Sequence, residues 1–198
     1  VWPVEVDLKT AYQEIGALML KVGTEVLETV GLVGPNAPIR ELGDKHVGRM
    51  LHYSTNSANP LWCGAHYDHG TFTALLPAVY LDEYGNQIPE PEEAGLFVRA
   101  PEATEFKKVV ADDPEVMLFQ VGEWGQLASN DTILATQHKV QKAEGHVERI
   151  SMALFFNTSF DYVVESTSSL TQDARYGGGR TCKYADWHTA SLNRYEVK

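Results

Sequence analysis

The chain opens with a helical pattern of apolar residues. Between Asp7 and Val30, apolar side chains recur at steps of three or four residues, and charged residues lie largely off that line. The line consists of Ile15, Leu18, Val22, Val26 and Val30. Asp7 can cap the first turn, and Gly31 follows the last one. We expect one long helix that packs on a sheet and supports it.

After Gly48 the helical pattern gives way to short strand-like runs separated by turn residues. The runs lie at 49–53, 71–76, 96–99, 106–110, 116–121 and 149–156. Many short strands without interleaved helices are typical of an all-β sandwich or barrel. Between Pro77 and Gly95 an acidic, proline-containing segment interrupts the series, and we expect a solvated hairpin or lid there.

Length and charge narrow the possible functions. The 198 residues, 43% of them hydrophobic, suit about one domain with a single core. The chain has 16 Lys and Arg residues against 27 Asp and Glu residues, a formal net charge of −11. Binding to nucleic acid requires clustered basic residues. We therefore expect no nucleic-acid partner.

The cysteines and the hydropathy bear on location. Cys63 and Cys182 are too few for a disulfide scaffold and lack the C-x-x-C spacing, which fits a reducing compartment. The sequence contains no run of about 18 apolar residues, and its start does not resemble a signal peptide. We expect a soluble, cytoplasmic protein that does not bind membranes. Because the sequence does not begin with Met, we also expect it to be N-terminally truncated.

The stretch Gly-Ala-His-Tyr-Asp-His-Gly-Thr at 64–71 carries the first candidate chemistry. In an extended strand His66 and Asp68 share one face, and Tyr67 lies on the other. An imidazole and a carboxylate supply two ligands of a two-histidine, one-carboxylate site, which suits iron(II) and leaves positions open for oxygen and a co-substrate. The third ligand must come from elsewhere in the chain.

The His-x-acid spacing alone is a weak signal. With 7 His and 27 acidic residues, about one such match per chain is expected by chance. A second match, His146-Val147-Glu148, follows an expected turn and has no suitable third ligand beyond it. We interpret this second match as a solvated loop.

A buried cation is predicted near the end of the strand series. Arg149 and Ser151 share one strand face, and together they suit two parallel hydrogen bonds to one carboxylate. An otherwise apolar strand rarely buries an arginine without an anion. The anion is either a protein acid or a ligand carboxylate. Upstream, His138 precedes a stretch of alternating polar and apolar residues.

Several motifs, taken in order, resemble one enzyme family. They are Arg49-Met50-Leu51-His52-Tyr53, the run from Gly64 to Thr73, Gly95-Leu96-Phe97-Val98-Arg99, Phe119-Gln120-Val121-Gly122-Glu123, Ser129-Asn130, His138-Lys139-Val140 and Glu148-Arg149-Ile150-Ser151. Together they are similar to the isopenicillin N synthase-like iron(II)/2-oxoglutarate-dependent dioxygenases and cover roughly residues 47 to 160.

The resemblance implies a fold and a site. The implied fold is mainly β, with a double-stranded β-helix (jelly roll) core, flanking helices and the long N-terminal support helix. The implied metal ligands, which are also the catalytic residues, are His66, Asp68 and His138. The implied co-substrate residues are Arg149 and Ser151, which bind the far carboxylate of 2-oxoglutarate, and Tyr53, which adds a hydrogen bond.

The implied reaction uses iron(II), O₂ and 2-oxoglutarate. The 2-oxoglutarate is decarboxylated to succinate and carbon dioxide while a small organic substrate is hydroxylated or desaturated. Two alternatives stay open: an iron oxidase of the same fold that does not use 2-oxoglutarate, and a non-catalytic binding relative. We expect a monomer with one oxygenase domain over 1–198, made of helical support at 1–45, the jelly-roll core at 46–160 and a C-terminal segment at 161–198 that packs on the core.

Two departures from the family pattern matter. Glu123 stands where the family usually has Asp in a Val-Gly-Asp turn. The segment from Pro77 to Ala94 is longer than the usual connection, and we expect it to reshape the entrance of the site.

Overall fold

Within the described residues, the fold consists of two antiparallel sheets, one two-stranded pair, three α-helices and two short 3-10 helices (Ser169–Gln172 and Ala174–Tyr176). The computed structural model describes residues 2–3, 5–55, 58–111 and 113–196. In chain order its elements are α1 (Leu8–Thr29), β1 (Val47–Tyr53), β2 (Leu61–His66), β3 (Phe72–Leu75), β4 (Val79–Leu81), β5 (Gln87–Ile88), β6 (Gly95–Arg99), β7 (Lys107–Lys108), β8 (Leu118–Val121), α2 (Glu123–Ala128), β9 (Gln137–Gln141), β10 (Glu148–Phe156), β11 (Val163–Glu165), β12 (Thr181–Lys183) and α3 (Tyr184–Glu196).

Helix α1 begins and ends where the sequence predicts. The Asp7 carboxylate accepts a hydrogen bond from the Thr10 backbone N–H at 3.1 Å, which caps the first turn. After the last turn, Gly31 adopts a left-handed conformation with φ of 72°. Such a conformation is favourable for glycine and ends the helix. The predicted helix is therefore confirmed.

The buried face of α1 differs from the predicted one. Leu18 and Val30 are 47% and 49% exposed, whereas Met19, Gly23 and Leu27 are buried. Hydropathy alone gives glycine no weight, yet Gly23 packs directly against β10: a Cβ atom at Gly23 would lie only 2.4 Å from the Phe156 ring. The predicted apolar line is confirmed at Ile15 and Val26, which pack against the core, and is wrong at Leu18 and Val30.

Strand β10 organises the main sheet, whose strands run in the order β5-β4-β10-β3-β8. One edge of β10 pairs with β1 from Arg149 to Phe155. The other edge pairs with β4 at its start and with β3 at its end. A nine-residue strand thus holds three others in register.

The second sheet faces the main one across a cavity. Its strands run in the order β2-β9-β6-β7, and every pairing in both sheets is antiparallel. Residues of both sheets line the cavity between them. The prediction of a mainly β sandwich-like core is confirmed.

Alternation along β10 separates the core from the cavity. Arg149 and Ser151 point into the cavity, while Met152 and Phe156 pack in the hydrophobic cluster that includes α1 residues. Successive side chains of a strand face opposite sides of the sheet. The register of β10 therefore places Arg149 and Ser151 in the cavity and Met152 and Phe156 in the core under the helix.

Several strand predictions need correction. The predicted run at 106–110 shrinks to the two residues Lys107–Lys108. The segment at 77–94 does form a hairpin, β4 and β5, but the prediction that it is solvated is wrong for β4. That strand pairs with β10, and Tyr80 is only 2% exposed. Periodicity missed this strand because three residues are too few to show alternation.

The C-terminal helix α3 packs on the α2 region. Tyr184 and Trp187 of α3 are fully buried, and both rings lie next to that of Trp124. Within the predicted C-terminal segment at 161–198, residues 197 and 198 lie outside the described ranges. No helix in the described part of the chain is long and apolar enough to cross a membrane.

Candidate functional site

Three predicted ligand residues converge at one end of the cavity. Pairing of β2 with β9 sets His66 directly opposite His138. The Asp68 Oδ1 atom lies 3.8 Å from Nε2 of His66 and 3.9 Å from Nε2 of His138. One ligand atom from each residue lies within 4.8 Å of the others. The structure therefore brings together the three residues that the sequence singled out.

Hydrogen bonds orient both imidazole rings. The Nδ1 atom of His66 lies 2.8 Å from the Gly64 carbonyl oxygen, and that of His138 lies 3.1 Å from the Thr136 carbonyl oxygen. Because a carbonyl oxygen only accepts, each Nδ1 carries the donated proton. The Nε2 atoms are left to face Asp68, which is the tautomer that a metal ligand needs.

Among the described residues, hydrogen bonds anchor the Asp68 carboxylate through its Oδ2 atom. Its Oδ2 atom accepts hydrogen bonds from the Thr73 hydroxyl and from the Gln120 side-chain amide, both at 2.6 Å. The Oδ1 atom is the one that faces the two imidazoles. The same amide nitrogen lies 3.2 Å from Nε2 of His138. Thr73 and Gln120 thus fix the carboxylate and leave its other oxygen free to bind a cation.

The loop that carries Asp68 is held by the start of α2. Strand β2 ends at His66, so Asp68 lies in a loop and not in the extended strand that we predicted. The backbone N–H of Glu123 donates to the Asp68 carbonyl oxygen at 2.8 Å. A Cβ atom at Gly122 would lie 2.2 Å from the Gly70 carbonyl oxygen. Glycine at 122 therefore permits the close backbone contact that positions Asp68.

Glu123, the departure from the family pattern, forms a buried ion pair. Its two carboxylate oxygens lie 2.6 and 2.8 Å from Nη1 and Nη2 of Arg175. The Arg175 guanidinium also contacts Asp173 and lies 4.0 Å above the Trp187 ring. The Trp187 indole in turn donates to the His69 carbonyl oxygen at 2.9 Å. Glu123 thus links the ligand loop to the C-terminal segment.

The imidazoles of His66 and His138 differ in their acid–base properties. The hydrogen bond with the Cys63 thiol, aided by the Gly64 carbonyl and the Asp68 carboxylate, outweighs burial and raises the pKa of His66 to about 9. Burial lowers the pKa of His138. A metal ion that binds His66 must therefore displace a proton, so metal binding becomes more favourable as the pH rises.

The donor set fits a divalent transition metal. Nitrogen and oxygen ligands lie about 2.0–2.2 Å from such an ion, so neighbouring ligand atoms are about 3 Å apart. The observed spacings of 3.8 and 3.9 Å need only a small inward movement of the side chains. Two imidazoles and one carboxylate suit iron(II) with open positions. The residues present therefore fit the metal that the sequence implies.

Arg149 and Ser151 form a second polar group in the same cavity. Both are buried, at 7% and 6% exposure, and Arg149 Nη1 donates to the Ser151 hydroxyl at 3.0 Å. The guanidinium lies 5.4 Å from the centre of the Tyr53 ring. Within the described ranges, no carboxylate forms an ion pair with Arg149. The predicted alternative of a protein acid as its direct partner is therefore not seen.

One cavity of about 160 Å³ joins the two polar groups. Its remaining walls are largely apolar, with Leu96, Leu118, Val140 and Phe155 among the lining residues. An apolar cavity of about 150 Å³ admits a molecule the size of benzene. The cavity therefore suits a small organic acid that spans from the ligand group to Arg149.

Sequence reasoning missed three contributors to the site: Thr73, Gln120 and Tyr80. Tyr80 accepts a hydrogen bond from Arg149 Nε at 3.3 Å. Thr73 and Gln120 are polar residues on strands whose other inward positions are apolar, and both are at most 8% exposed. A polar residue at an inward strand position was the signal that could have identified Thr73 and Gln120.

The other histidines lie away from the ligand group. His146 is exposed in a bend, which agrees with the interpretation of its motif as a solvated loop. Glu148 begins β10, and its carboxylate lies 2.8 Å from Nε2 of His52. His69 turns from Asp68 toward helix α3, where its Nε2 atom lies 3.1 Å from Nδ1 of His188. A role for His69 in supporting the metal is therefore not supported.

Comparisons with known proteins find similar sequences and similar folds. No family model matches the chain. A curated Arabidopsis thaliana protein, described as a probable 2-oxoacid dependent dioxygenase, is 39% identical over 51 residues, which are 26% of this chain and 14% of that protein. The crystal structure of a rice dioxygenase for auxin oxidation is 25% identical with a TM-score of 0.63, and the match covers 94% of this chain and 58% of that one.

A third match supports the fold. A full-length Neurospora crassa protein, crystallised with alpha-KG and 5-formyluracil, matches with a TM-score of 0.63 at 20% identity, over 96% of this chain and 63% of that one. The chain thus spans less than two thirds of the length of each of these three proteins. Together the matches confirm the predicted jelly-roll fold and the resemblance to the iron(II)/2-oxoglutarate-dependent dioxygenases.

Proposed function

We propose that this chain, which resembles the iron(II)/2-oxoglutarate-dependent dioxygenases in fold and motifs, oxidises a small organic substrate. In the proposed reaction 2-oxoglutarate and O₂ are converted to succinate and carbon dioxide, and one oxygen atom of O₂ enters succinate. The other oxygen atom hydroxylates the substrate or, in a desaturation, leaves as water.

One observation carries the proposal: a metal-binding group and a buried cation without an acid partner line the same small cavity. His66, Asp68 and His138 direct three ligand atoms at one point. Arg149 is 7% exposed, and among the described residues no acid pairs with it. Burying an unpaired charge is costly, so a ligand anion is the natural counter-charge. A 2-oxo dicarboxylic acid satisfies both groups at once.

The residues divide the work between metal and co-substrate. His66, Asp68 and His138 would hold iron(II), which when bound supplies the oxygen activation. Three protein donors would leave room at the metal for a 2-oxo acid and for oxygen. Thr73 and Gln120 hold the Asp68 carboxylate in place.

At the other end of the cavity, Arg149 and Ser151 would bind the far carboxylate. A guanidinium and a hydroxyl 3.0 Å apart offer charge-assisted hydrogen bonds to one carboxylate. Tyr53 lies against the guanidinium and opposite Arg149 in the β1–β10 register. We assign Tyr53 to the co-substrate site as a contact of Arg149. The apolar walls would exclude water from the reacting groups.

The substrate is assigned only by class. The rice protein is a dioxygenase for auxin oxidation, and the Neurospora crassa protein was crystallised with 5-formyluracil; both compounds are small organic molecules. A substrate must reach the metal from the mouth of the cavity, because a co-substrate would fill most of about 160 Å³. We therefore assign the chain a small-molecule substrate.

Succinate release tests the function directly. Purified protein with iron(II), ascorbate and 2-oxoglutarate is screened against a library of small organic acids, phenolics and heterocycles, with the His66→Ala variant as the blank. Succinate formed by the wild type and not by the variant supports the proposal. Oxidised product without succinate would instead identify an iron oxidase that does not use 2-oxoglutarate. Failure of the folded, iron-loaded protein to turn over any 2-oxoglutarate would refute the proposed function.

A further inference from the structure

A line of polar side chains extends from Arg149 away from the metal-binding group. Arg149 Nε lies 3.3 Å from the Tyr80 hydroxyl, and the Tyr80 hydroxyl and the Glu90 carboxylate both lie beside Gly95. Glu90 Oε1 in turn lies 3.3 Å from Lys108 Nζ. The four residues come from β4, β10, β7 and the stretch after β5. Opposite charges and one hydroxyl thus alternate along a path that ends at the proposed co-substrate site.

Sheet register delivers Tyr80 to Arg149. In the β4–β10 pairing these two residues lie directly opposite each other. Residues opposite each other on one face of an antiparallel pair have Cβ atoms about 5 Å apart, so their side chains must interact. Strand β4 belongs to the segment at 77–94 that is longer than the family pattern. The extra length therefore places a specific side chain beside the buried guanidinium.

The Tyr80 hydroxyl fixes the orientation of the guanidinium. Arg149 Nε donates to Tyr80, and Nη1 donates to Ser151. With two of its three nitrogens bound to protein atoms, the planar group cannot rotate freely. Its remaining N–H groups are then presented to the cavity in one direction. A ligand carboxylate would meet a donor that is already oriented.

Glu90 places a carboxylate near the tyrosine hydroxyl. A hydroxyl that accepts from Arg149 still has its own proton to donate, and the nearby Glu90 Oε1 atom is buried with no hydrogen-bond partner among the described residues. Lys108 holds this carboxylate and also donates to the Pro91 and Glu92 carbonyl oxygens. Gly95, with φ of 105°, leaves the necessary space, because a Cβ atom there would lie 2.1 Å from Glu90 Oε1. The local backbone thus accommodates Glu90 in this position.

We propose that Tyr80, held by Glu90 and Lys108, is a positioning residue that orients Arg149 toward the far carboxylate of the 2-oxo acid. The segment at 77–94 then sets the affinity for 2-oxo dicarboxylic acids and their selection over monocarboxylic ones. This inference rests on the proposed function, since it assigns a role within the same site.

The test compares two 2-oxo acids that differ in the far carboxylate. Anaerobic titrations of the iron(II)-loaded chain measure the Kd for 2-oxoglutarate and for 2-oxobutanoate, which lacks that group. Tyr80→Phe keeps the ring and removes the hydroxyl. We expect it to weaken 2-oxoglutarate binding by about tenfold or more, the loss of one hydrogen bond to a charged group. Binding of 2-oxobutanoate and of iron should stay unchanged.

Four further variants separate positioning from simple structural support. Tyr84→Phe, at the 80% exposed tip of the same hairpin, should bind both acids like the wild type. Glu90→Ala should reproduce the Tyr80→Phe loss, whereas Glu90→Gln, which keeps an acceptor oxygen, should recover most of the affinity. The affinity of Lys108→Met for 2-oxoglutarate should lie between the affinities of the two Glu90 variants. Thermal unfolding checks that each variant is folded.

The outcomes distinguish this inference from the proposed function. Wild-type binding of 2-oxoglutarate with unchanged affinity in Tyr80→Phe and Glu90→Ala overturns the inference and leaves the function intact. Equal losses for both acids also overturn it, because they indicate a general disturbance of the cavity. If the folded, iron-loaded wild type binds neither acid, the proposed function fails and the inference fails with it.

Discussion

Replacing Thr73 by valine should weaken metal binding without unfolding the protein. Thr73 is only 1% exposed, and its hydroxyl donates a hydrogen bond to Asp68 Oδ2 at 2.6 Å. A hydrogen bond to a charged group contributes about 1.5–3 kcal/mol. Loss of such support for a metal ligand typically lowers metal affinity by about 10- to 100-fold. Because Gln120 still donates to the same oxygen, we expect a loss near the lower end of that range.

Anaerobic titration of the metal-free chain with iron(II) or manganese(II), against a competing chelator, measures this loss. Thr71→Val is the matched control. Thr71 is fully buried, and its hydroxyl has no hydrogen-bond partner in the part of the chain that the structure describes. Removing a hydroxyl that makes no hydrogen bond is neutral or slightly stabilising. Thr71→Val should therefore bind metal like the wild type.

The comparison can refute the reasoning in two ways. Equal metal affinity in folded Thr73→Val and in the wild type would show that the hydroxyl does not support Asp68 as a ligand. An equal loss in Thr71→Val would show that the effect comes from general disturbance of the strand. Either result removes the assigned role of Thr73.

Three predictions concern stability, measured by urea unfolding. Gly23→Ala should destabilise the fold by about 1–3 kcal/mol, because the new methyl group would overlap a buried ring at 2.4 Å. Arg175→Met should cost about 3–5 kcal/mol, because it removes the cation paired with the largely buried Glu123 carboxylate and leaves Asp173 with Arg194 alone. Burial raises the pKa of Asp173, but hydrogen bonds from two arginines outweigh it and hold that pKa at about 2. The ionised Asp173 carboxylate therefore stabilises the fold above about pH 4, and this stabilisation is lost as the pH falls to 2. It amounts to about 1 kcal/mol after solvent screening, and Asp173→Asn should abolish it.

Each of these predictions has a control in the same chain. Gly16→Ala should be neutral or stabilising, since its nearest neighbour would lie at 3.9 Å and alanine favours a helix. Arg180→Met breaks only an exposed pair, 89% and 62% exposed, and should change stability by under about 1 kcal/mol. A Gly23→Ala chain as stable as Gly16→Ala, or equal effects of the two arginine variants, would contradict the packing described above. The Asp173 prediction is refuted if the free energy of unfolding of Asp173→Asn falls between pH 4 and 2 as steeply as that of the wild type.

The sequence predicted the ends of α1 but not its buried face. Caps are local: Asp7 and Gly31 act on the turns beside them, so their residue types suffice. The rotation of the helix is a tertiary property, decided by where Phe156 meets Gly23. Hydropathy ranks glycine as neutral and cannot identify it as the contact point.

The candidate site likewise combines features that the local sequence predicts with features that only tertiary contacts determine. His66 and Asp68 stand out by their His-x-Asp spacing, and Arg149 stands out as a cation in an otherwise apolar strand. Tyr80 and Glu90 could not be identified from the sequence, because a tyrosine in a short strand is usually part of a core. Only the register of β4 against β10 sets Tyr80 opposite Arg149.

Binding of 2-oxoglutarate to the iron-loaded chain tests the central claim most directly. Under anaerobic conditions, iron(II) and 2-oxoglutarate together should produce the weak visible charge-transfer band of the chelate in the wild type. The band should be absent in His138→Ala and should require far more 2-oxoglutarate in Arg149→Met. A folded wild-type protein that gives no band with both components present would contradict the proposal that the three ligand residues and Arg149 form one site.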